Sequence, residues 1–363
     1  MAEVFGREID EYTARQYTGD MSQMCDARAV EYRDGRASGV KGYEVYTGSG
    51  LTFSVLESRG MDIAQCAFRG RPISHIAKSG VSNSTYYEPL GEGWFRTFFA
   101  GLLTTCGLSN TCAPCTDEGV AYGMHGRISN IPAENVNVRK FWLKDDYIIE
   151  LSGEIREAVF YGENLLLTRR ITTRLGSREI EIHDSVRNEG FSSEPLMILY
   201  HFNFGFPLID EKSLLHINPR ETRFFDEAAE EGRKEMFHFQ KPTHQYFRQV
   251  FIHNLEGNDE GQSTCLIESN RDGDTPWGVY LKKYEHQLPY LFEFKMMGQG
   301  DYQLGIEPAN SGPYGRTEEK KAGRIRYIEP GETKNFDLLL GVIEGKNNLA
   351  GVRETIKGTN SVA

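Results

Sequence analysis

Positive charge is the scarcer sign in this chain. Lys and Arg number 41 against 52 Asp and Glu, a formal charge of −11 over 363 residues. That balance disfavours nucleic acid as a partner, because phosphate binding needs a positive face. It leaves neutral ligands such as sugars open. Long apolar runs are also missing. The most apolar early stretch, Phe98 to Leu108, is interrupted by Gly101, Thr104, Thr105 and Gly107, and is too short and too polar to span a bilayer. Met1 to Tyr12 carries charges throughout and lacks the apolar segment of a signal peptide. A soluble, cytoplasmic protein with no membrane partner is expected. Cysteine is sparse, with 6 residues, so a disulfide scaffold is not expected. Cys112-Ala-Pro-Cys115 has the spacing of a redox or half-zinc motif, but no second Cys pair accompanies it. Even with His125 ten residues on, only a partial site would form, so buried or loop thiols are the simpler reading. No segment repeats, and no Pro/Ser-rich linker divides the chain.

Alternation is what the chain has in abundance. In Leu51-Thr-Phe-Ser-Val55 the odd positions are apolar. Leu165, Leu167, Ile171 and Leu175 share one face of a long strand, and Ile180, Ile182 and Val186 share one face of the next. Gly176-Ser177 makes the turn of that hairpin. Tyr147, Ile149, Leu151 and Ile155 form another such face. Late in the chain, Ile325 and Tyr327 precede a Glu329-Pro-Gly-Glu332 turn, and Leu338, Leu340 and Val342 close the sheet. Helical signals are few: Glu8 to Gln16, Asn348 to Lys357, and Trp94 to Leu103, where Trp94, Phe98 and Leu102 recur every four residues. The acidic stretch Asp226 to Glu235 reads as a solvated loop. Many strands with short turns and no βαβ rhythm argue for an all-β fold, two large antiparallel sheets packed as a long sandwich. A single domain is expected, with residues 1–40 as an extension packing on it.

Three motifs in order carry the chemistry. His125 sits in Tyr122-Gly-Met-His-Gly-Arg127, where two glycines allow close approach of backbone and ligand; it is either a structural histidine in a turn or a ligand contact. His201 sits in Leu199-Tyr-His-Phe-Asn-Phe-Gly-Phe-Pro207. By alternation Tyr200, Phe202, Phe204 and Phe206 face the core, while His201, Asn203 and Gly205 face the other way, as the floor of a polar pocket would. Glu307 sits in Leu304-Gly-Ile-Glu-Pro308 and shares its face with Gly305, which leaves room for a ligand. A partly buried carboxylate there would have a raised pKa and serve as a base near neutrality. Arg59 and Asp62, in Arg59-Gly-Met-Asp62, either bind hydroxyls or pair with each other. Arg127 and Arg316 are candidates for an anion or a hydroxyl; Asn310, Lys295 and His75 are weaker ones.

At these residues the chain resembles the galactose mutarotase-like superfamily, the aldose 1-epimerases and their relatives, from about Tyr43 to Gly345. His125-Gly-Arg-Ile-Ser-Asn130 is similar to the family's His-Gly-Phe-Ala-Arg-Asn element, whose histidine contacts the sugar. His201-Phe-Asn-Phe204 is similar to its His-x-Tyr-Phe, whose histidine is the general acid. Glu307 occupies the place of its general base. Asn203 stands where the family has tyrosine, Arg127 where it has an aromatic, and Ser129 where it has arginine. No counterpart of its sugar-binding aspartate is found. These departures bear on the substrate more than on the proton-transfer pair. Arg59-Gly-Met-Asp62 and Leu102-Leu-Thr-Thr-Cys-Gly107 look like the signatures of a distinct branch.

The resemblance implies a β-supersandwich with its site on a concave sheet face, a small-molecule sugar or sugar derivative as ligand, and no cofactor. Glu307 would take the anomeric proton and His201 would protonate the ring oxygen, with His125, Arg59, Asp62, Arg127, Asn203 and Arg316 around the substrate. Epimerisation beside the carbonyl of a keto sugar, or carbohydrate binding without turnover, are the alternatives. A glycoside hydrolase fits less well, since that chemistry usually wants two carboxylates. A homodimer is left open.

Overall fold

The computed structural model describes residues 2–270 and 275–357. Two antiparallel sheets dominate it. The larger has twelve strands, running in space from Pro219–Phe224 through Gln249–Leu255, Tyr290–Gly298, Asp301–Ala309, Glu194–Gly205, Leu103–Leu108, Asp62–Phe68, Leu51–Leu56 and Lys41–Tyr46 to Asp26–Glu31. The short strands Arg326–Ile328 and Arg71–Pro72 attach beside this path. The second sheet has eight strands, in the order Glu134–Leu143, Asp146–Ala158, Asn164–Arg174, Glu179–Asn188, Thr333–Glu344, Trp277–Tyr284, Gln262–Ser269 and Leu214–His216.

Alternation explains why the sheets face each other. Leu51, Phe53 and Val55 are buried in one apolar core with Ile149, Leu151, Leu167, Ile182 and Leu340 of the opposite sheet. Tyr200, Phe202 and Phe204 join that core, as do Leu304 and Ile306. Phe206 does not; it lies past the strand end and is exposed. The expected hairpin forms, with Ile171 opposite Ile182 and Gly176 in the left-handed region its turn requires.

Several expectations are corrected. Trp94 to Leu103 is not a helix. A single 3₁₀ turn, Gly93–Arg96, is followed by strand Leu103–Leu108, paired on both sides and wholly buried. Ala100 and Gly101 take positive φ, which ends any helical path, and β-branched Thr104 and Thr105 suit a central strand. The four-residue recurrence there reflects aromatic packing above the sheet. The acidic stretch is helical rather than a loop: Glu227–Glu231 is a short helix, capped by Asp226 accepting from the Ala229 N–H, with Ala229 buried, and Gly232–Glu235 is a 3₁₀ turn. Residues 1–40 do more than lie against the fold. Asp26–Glu31 is the edge strand of the large sheet, and Val4, Ile9, Ala14 and Cys25 enter the core. The last strand, Thr333–Glu344, is central rather than closing, and the Pro330 turn crosses from one sheet to the other. Among the described residues, no helix is long and apolar enough to cross a membrane.

Candidate active site

The site forms on the outer face of the large sheet, where strands Glu194–Gly205 and Asp301–Ala309 run side by side. Their register pairs Leu199 with Ala309 and Phe202 with Ile306, which sets His201 opposite Glu307. Core-facing neighbours turn both side chains outward. His201 Nε2 and Glu307 Oε1 are 3.1 Å apart, and each residue is 4% exposed. The approach is close but not aligned as a hydrogen bond, for Glu307 Oε1 has no hydrogen-bond partner. Gly305 makes this proximity possible. A Cβ at that position would stand 2.6 Å from Glu307 Oε1, 2.9 Å from Phe294 Cβ and 3.2 Å from His201 Cε1.

Aromatic side chains enclose the pair. Phe98 lies 5.2 Å from the His201 ring, Phe294 6.0 Å and Trp94 6.5 Å. Trp94 and Phe98 stack on each other at 4.3 Å. His125 arrives on the following loop, its backbone in the left-handed region at φ 55°. Its ring is 5.9 Å from His201 and 4.4 Å from Trp94. The Cys112 N–H donates to His125 Nδ1 at 3.3 Å, which leaves the ring proton on Nε2. The three motifs therefore meet in space, although 182 residues (307 minus 125) separate the outer two.

The surroundings set the protonation. Burial alone pushes the Glu307 carboxyl up to about 8. Burial first, and the neighbouring His125 second, push His201 well below the usual imidazole range, against the opposing pull of the Asn203 carboxamide. Burial also lowers His125. Near neutrality the pair thus holds one proton, resting on Glu307, with His201 neutral.

Other expected ligand contacts are corrected. Arg59 is buried, and its guanidinium donates to the carbonyls of Ser129 at 2.8 Å, Ser82 at 2.7 Å and Thr97 at 3.2 Å. Asp62 is fully buried on the core side. It accepts from Thr105 and meets Arg169 Nη1 at 3.1 Å, and burial raises it to about 6. These two do not reach the site; the Asp62 N–H donates to the Arg59 carbonyl at 3.0 Å, and their side chains take different partners. Arg316 is also committed: Nε donates to Asp117 at 2.9 Å, Nη1 to the Ser109 carbonyl at 3.0 Å, and the guanidinium lies 4.4 Å over the Tyr122 ring. Asn203 is fully buried. Its amide donates to the Ala100 and His201 carbonyls, which ties it to the histidine strand, while its Oδ1 has no hydrogen-bond partner. Arg127 is exposed beside His125. Lys295 lies on the core side, donating to the Glu235 carbonyl. Directly behind His201, Arg169 links Asp184 to Asp62, and the Tyr200 hydroxyl donates to Asp184 at 2.8 Å.

Sequence reasoning missed the aromatic enclosure. Trp94 and Phe98 carried a signal, their four-residue spacing, but it pointed to a helix. Phe294 carried none.

The model of a family described as "Domain of unknown function (DUF4432)" matches residues 37–342. The chain belongs to that family. No curated protein matches this DUF4432 chain. Among solved structures, a "putative aldose 1-epimerase" from Klebsiella pneumoniae is similar over 94% of this chain and 91% of its own, at 25% identity and a TM-score of 0.88. A galactose mutarotase-like protein from Clostridium acetobutylicum is 14% identical, with a TM-score of 0.60 over 89% of this chain and 99% of its own. Galactose 1-epimerase from Lactobacillus acidophilus is 16% identical, with a TM-score of 0.58 over 89% and 100%. The fold of this DUF4432 protein is galactose mutarotase-like.

Proposed function

We propose that this protein is a sugar mutarotase of the aldose 1-epimerase type, with His201 and Glu307 as its proton-transfer pair. The observation that carries this reading is their 3.1 Å separation on an outer sheet face, both nearly buried and roofed by aromatic rings. Mutarotation needs two groups acting on two oxygens of the same carbon. One removes the anomeric proton while the other protonates the ring oxygen. The ring opens, the C1–C2 bond rotates, and the reverse transfers close it on the other face. Groups on adjacent strands with a shared register reach both oxygens at once.

One proton on the pair is the working state. With Glu307 as carboxylate and His201 as imidazolium, Glu307 accepts and His201 donates. With the proton on Glu307, the roles exchange. Microscopic reversibility uses both states, because each turnover of an anomer runs the other's path backwards. Burial shifts the two pKa values in opposite directions, so the one-proton state spans neutrality. His125, with its Nε2 proton, serves as a donor to a sugar oxygen. Trp94 and Phe98, stacked on each other beside His201, supply the surface for the sugar's apolar face. The names of the similar structures support an isomerase of this class.

The test is NMR exchange spectroscopy on aldoses, ketoses and their acidic derivatives in D2O, with Glu307→Gln and His201→Asn alongside. Accelerated α/β exchange without deuterium at carbon, lowered at least about a hundredfold in either variant, is expected. Deuterium entering a C–H bond would instead establish a carbon epimerase or isomerase. Normal turnover in either variant would sink the pair assignment.

A further inference from the structure

A row of directly opposed residues leads away from the catalytic pair across the outer face. Glu307 is opposite Phe292, Phe292 opposite Ile252, and Ile252 opposite Arg223. Opposed residues in an antiparallel sheet point to the same side. The neighbouring Thr222 confirms the sense, since its hydroxyl meets His253 Nδ1 at 2.9 Å on the core side. Arg223 therefore rises from the same face as Glu307, three strand spacings away, about 14 Å between backbones. Its guanidinium carbon lies 5.9 Å from the Tyr290 ring, on the strand next to that of Glu307, and Tyr290 is opposite Ala309. Between the two ends the floor is apolar, formed by buried Phe292 and Ile252 with half-buried Tyr290 and Phe225 packed on them.

Two other arginines border this region, and both are engaged. Arg324 grips Glu319 with hydrogen bonds of 2.7 and 3.0 Å. Arg248 holds Asp226 at 2.8 Å. Arg223 is held loosely by comparison. Its nearest carboxylate, Glu221, is 3.8 Å from Nε, and Asn254 Oδ1 is 3.5 Å from Nη2. Nε itself is buried and makes no hydrogen bond. A guanidinium with a desolvated, unused donor suits a planar or tetrahedral anion, which it binds through two parallel N–H groups.

We propose that Arg223 is the anion-recognising residue of this site, and that the sugar it accepts carries a carboxylate or phosphate at the end remote from its anomeric carbon. The inference rests on the reading of His201 and Glu307 as the pair acting at the anomeric carbon, which fixes one end of the sugar. Arg223 fixes the other. It binds substrate and takes no part in the proton transfers. Of Arg127 and Arg316, which the sequence offered for an anion, Arg316 is engaged by Asp117 and the Ser109 carbonyl and Arg127 lies exposed beside His125; Arg223 takes that role from a position no motif marked.

The probes are matched pairs: glucose with glucuronate and with glucose 6-phosphate, and galactose with galacturonate. Calorimetric affinity and NMR anomer exchange are measured for the wild type, Arg223→Lys and Arg223→Met. In at least one pair the wild type is expected to bind the anion at least tenfold more tightly than the neutral sugar. Arg223→Met should cut that ratio at least tenfold, and Arg223→Lys should restore part of it, with the melting temperature of both variants unchanged. The better member of the carboxylate and phosphate arms identifies the group. Equal affinity within every pair, no binding of any anion, or an unchanged ratio in Arg223→Met would overturn the proposal. Anion preference without anomer exchange would uphold Arg223 and sink the mutarotase reading. Exchange without anion preference would do the reverse.

Discussion

Glu307→Gln separates catalysis from stability in one substitution. In the folded protein the carboxyl titrates at about 8, against an ordinary value of 4.5, and burial is the cause. A group whose folded pKa is raised contributes stability that is fully present below its unfolded pKa and is lost as pH rises through its folded pKa. Below about pH 4.5 the protonated Glu307 costs little. By pH 9 the folded state must bury a carboxylate with no hydrogen bond to Oε1. At about 1.4 kcal/mol per pKa unit, the penalty approaches ~5 kcal/mol, an upper bound because relaxation and water entry reduce it. Glutamine has nearly the same shape and never ionises. Urea unfolding of wild type and variant at pH 5 and pH 9 should therefore show near-equal stability at pH 5. At pH 9 the variant should be the more stable by several kcal/mol. Other titrating groups are common to both chains and cancel in the difference. The same variant should lose sugar turnover. A stability difference that does not change with pH, or one that favours the wild type at pH 9, would refute the claim that Glu307 is a desolvated acid in the resting site.

The pH profile of kcat/KM should fall on the alkaline side near pH 8, as the pair loses its single proton, and persist on the acid side well below the ordinary histidine range; an acid limb at pH 6.5 or above would contradict the burial of His201. Gly305→Ala should lower turnover at least about tenfold, a 1.4 kcal/mol effect on the barrier, because its Cβ would press on both the Glu307 carboxylate and the His201 ring; activity within twofold of wild type would show that the pair tolerates wider spacing. Arg169→Met should destabilise the fold by about 3–5 kcal/mol at neutral pH, since it strands the buried Asp62 and Asp184 carboxylates, and denaturant midpoints with an unchanged m-value would measure it. A loss below about 1 kcal/mol would mean that the inter-sheet ion cluster is not what ties the sheets together.

The chain's periodicity determined much of this protein. Two-residue alternation placed Leu51, Ile149, Ile171 and Ile182 on buried faces, and the same rule turned His201 and Glu307 away from the core. Local pattern suffices there because strand geometry itself dictates the side a residue faces. The galactose mutarotase-like fold was legible from motifs that keep their order and chemistry. Tertiary structure decided everything that depends on which strands become neighbours. It set His201 opposite Glu307, since register is a property of two segments and not of one. It turned Trp94 and Phe98 from an apparent helix into the wall of a site, because Leu103–Leu108 gained a strand on either side. Arg59, Asp62 and Arg316 look in sequence like ligand contacts, yet folding spends their charges on carbonyls and buried ion partners. Arg223, unmarked in any motif, comes to share a sheet face with the pair only because four strands, Pro219–Phe224, Gln249–Leu255, Tyr290–Gly298 and Asp301–Ala309, lie side by side. A charged residue's role follows from where its partners end up after folding, and the sequence lists the charges without saying which will be neutralised.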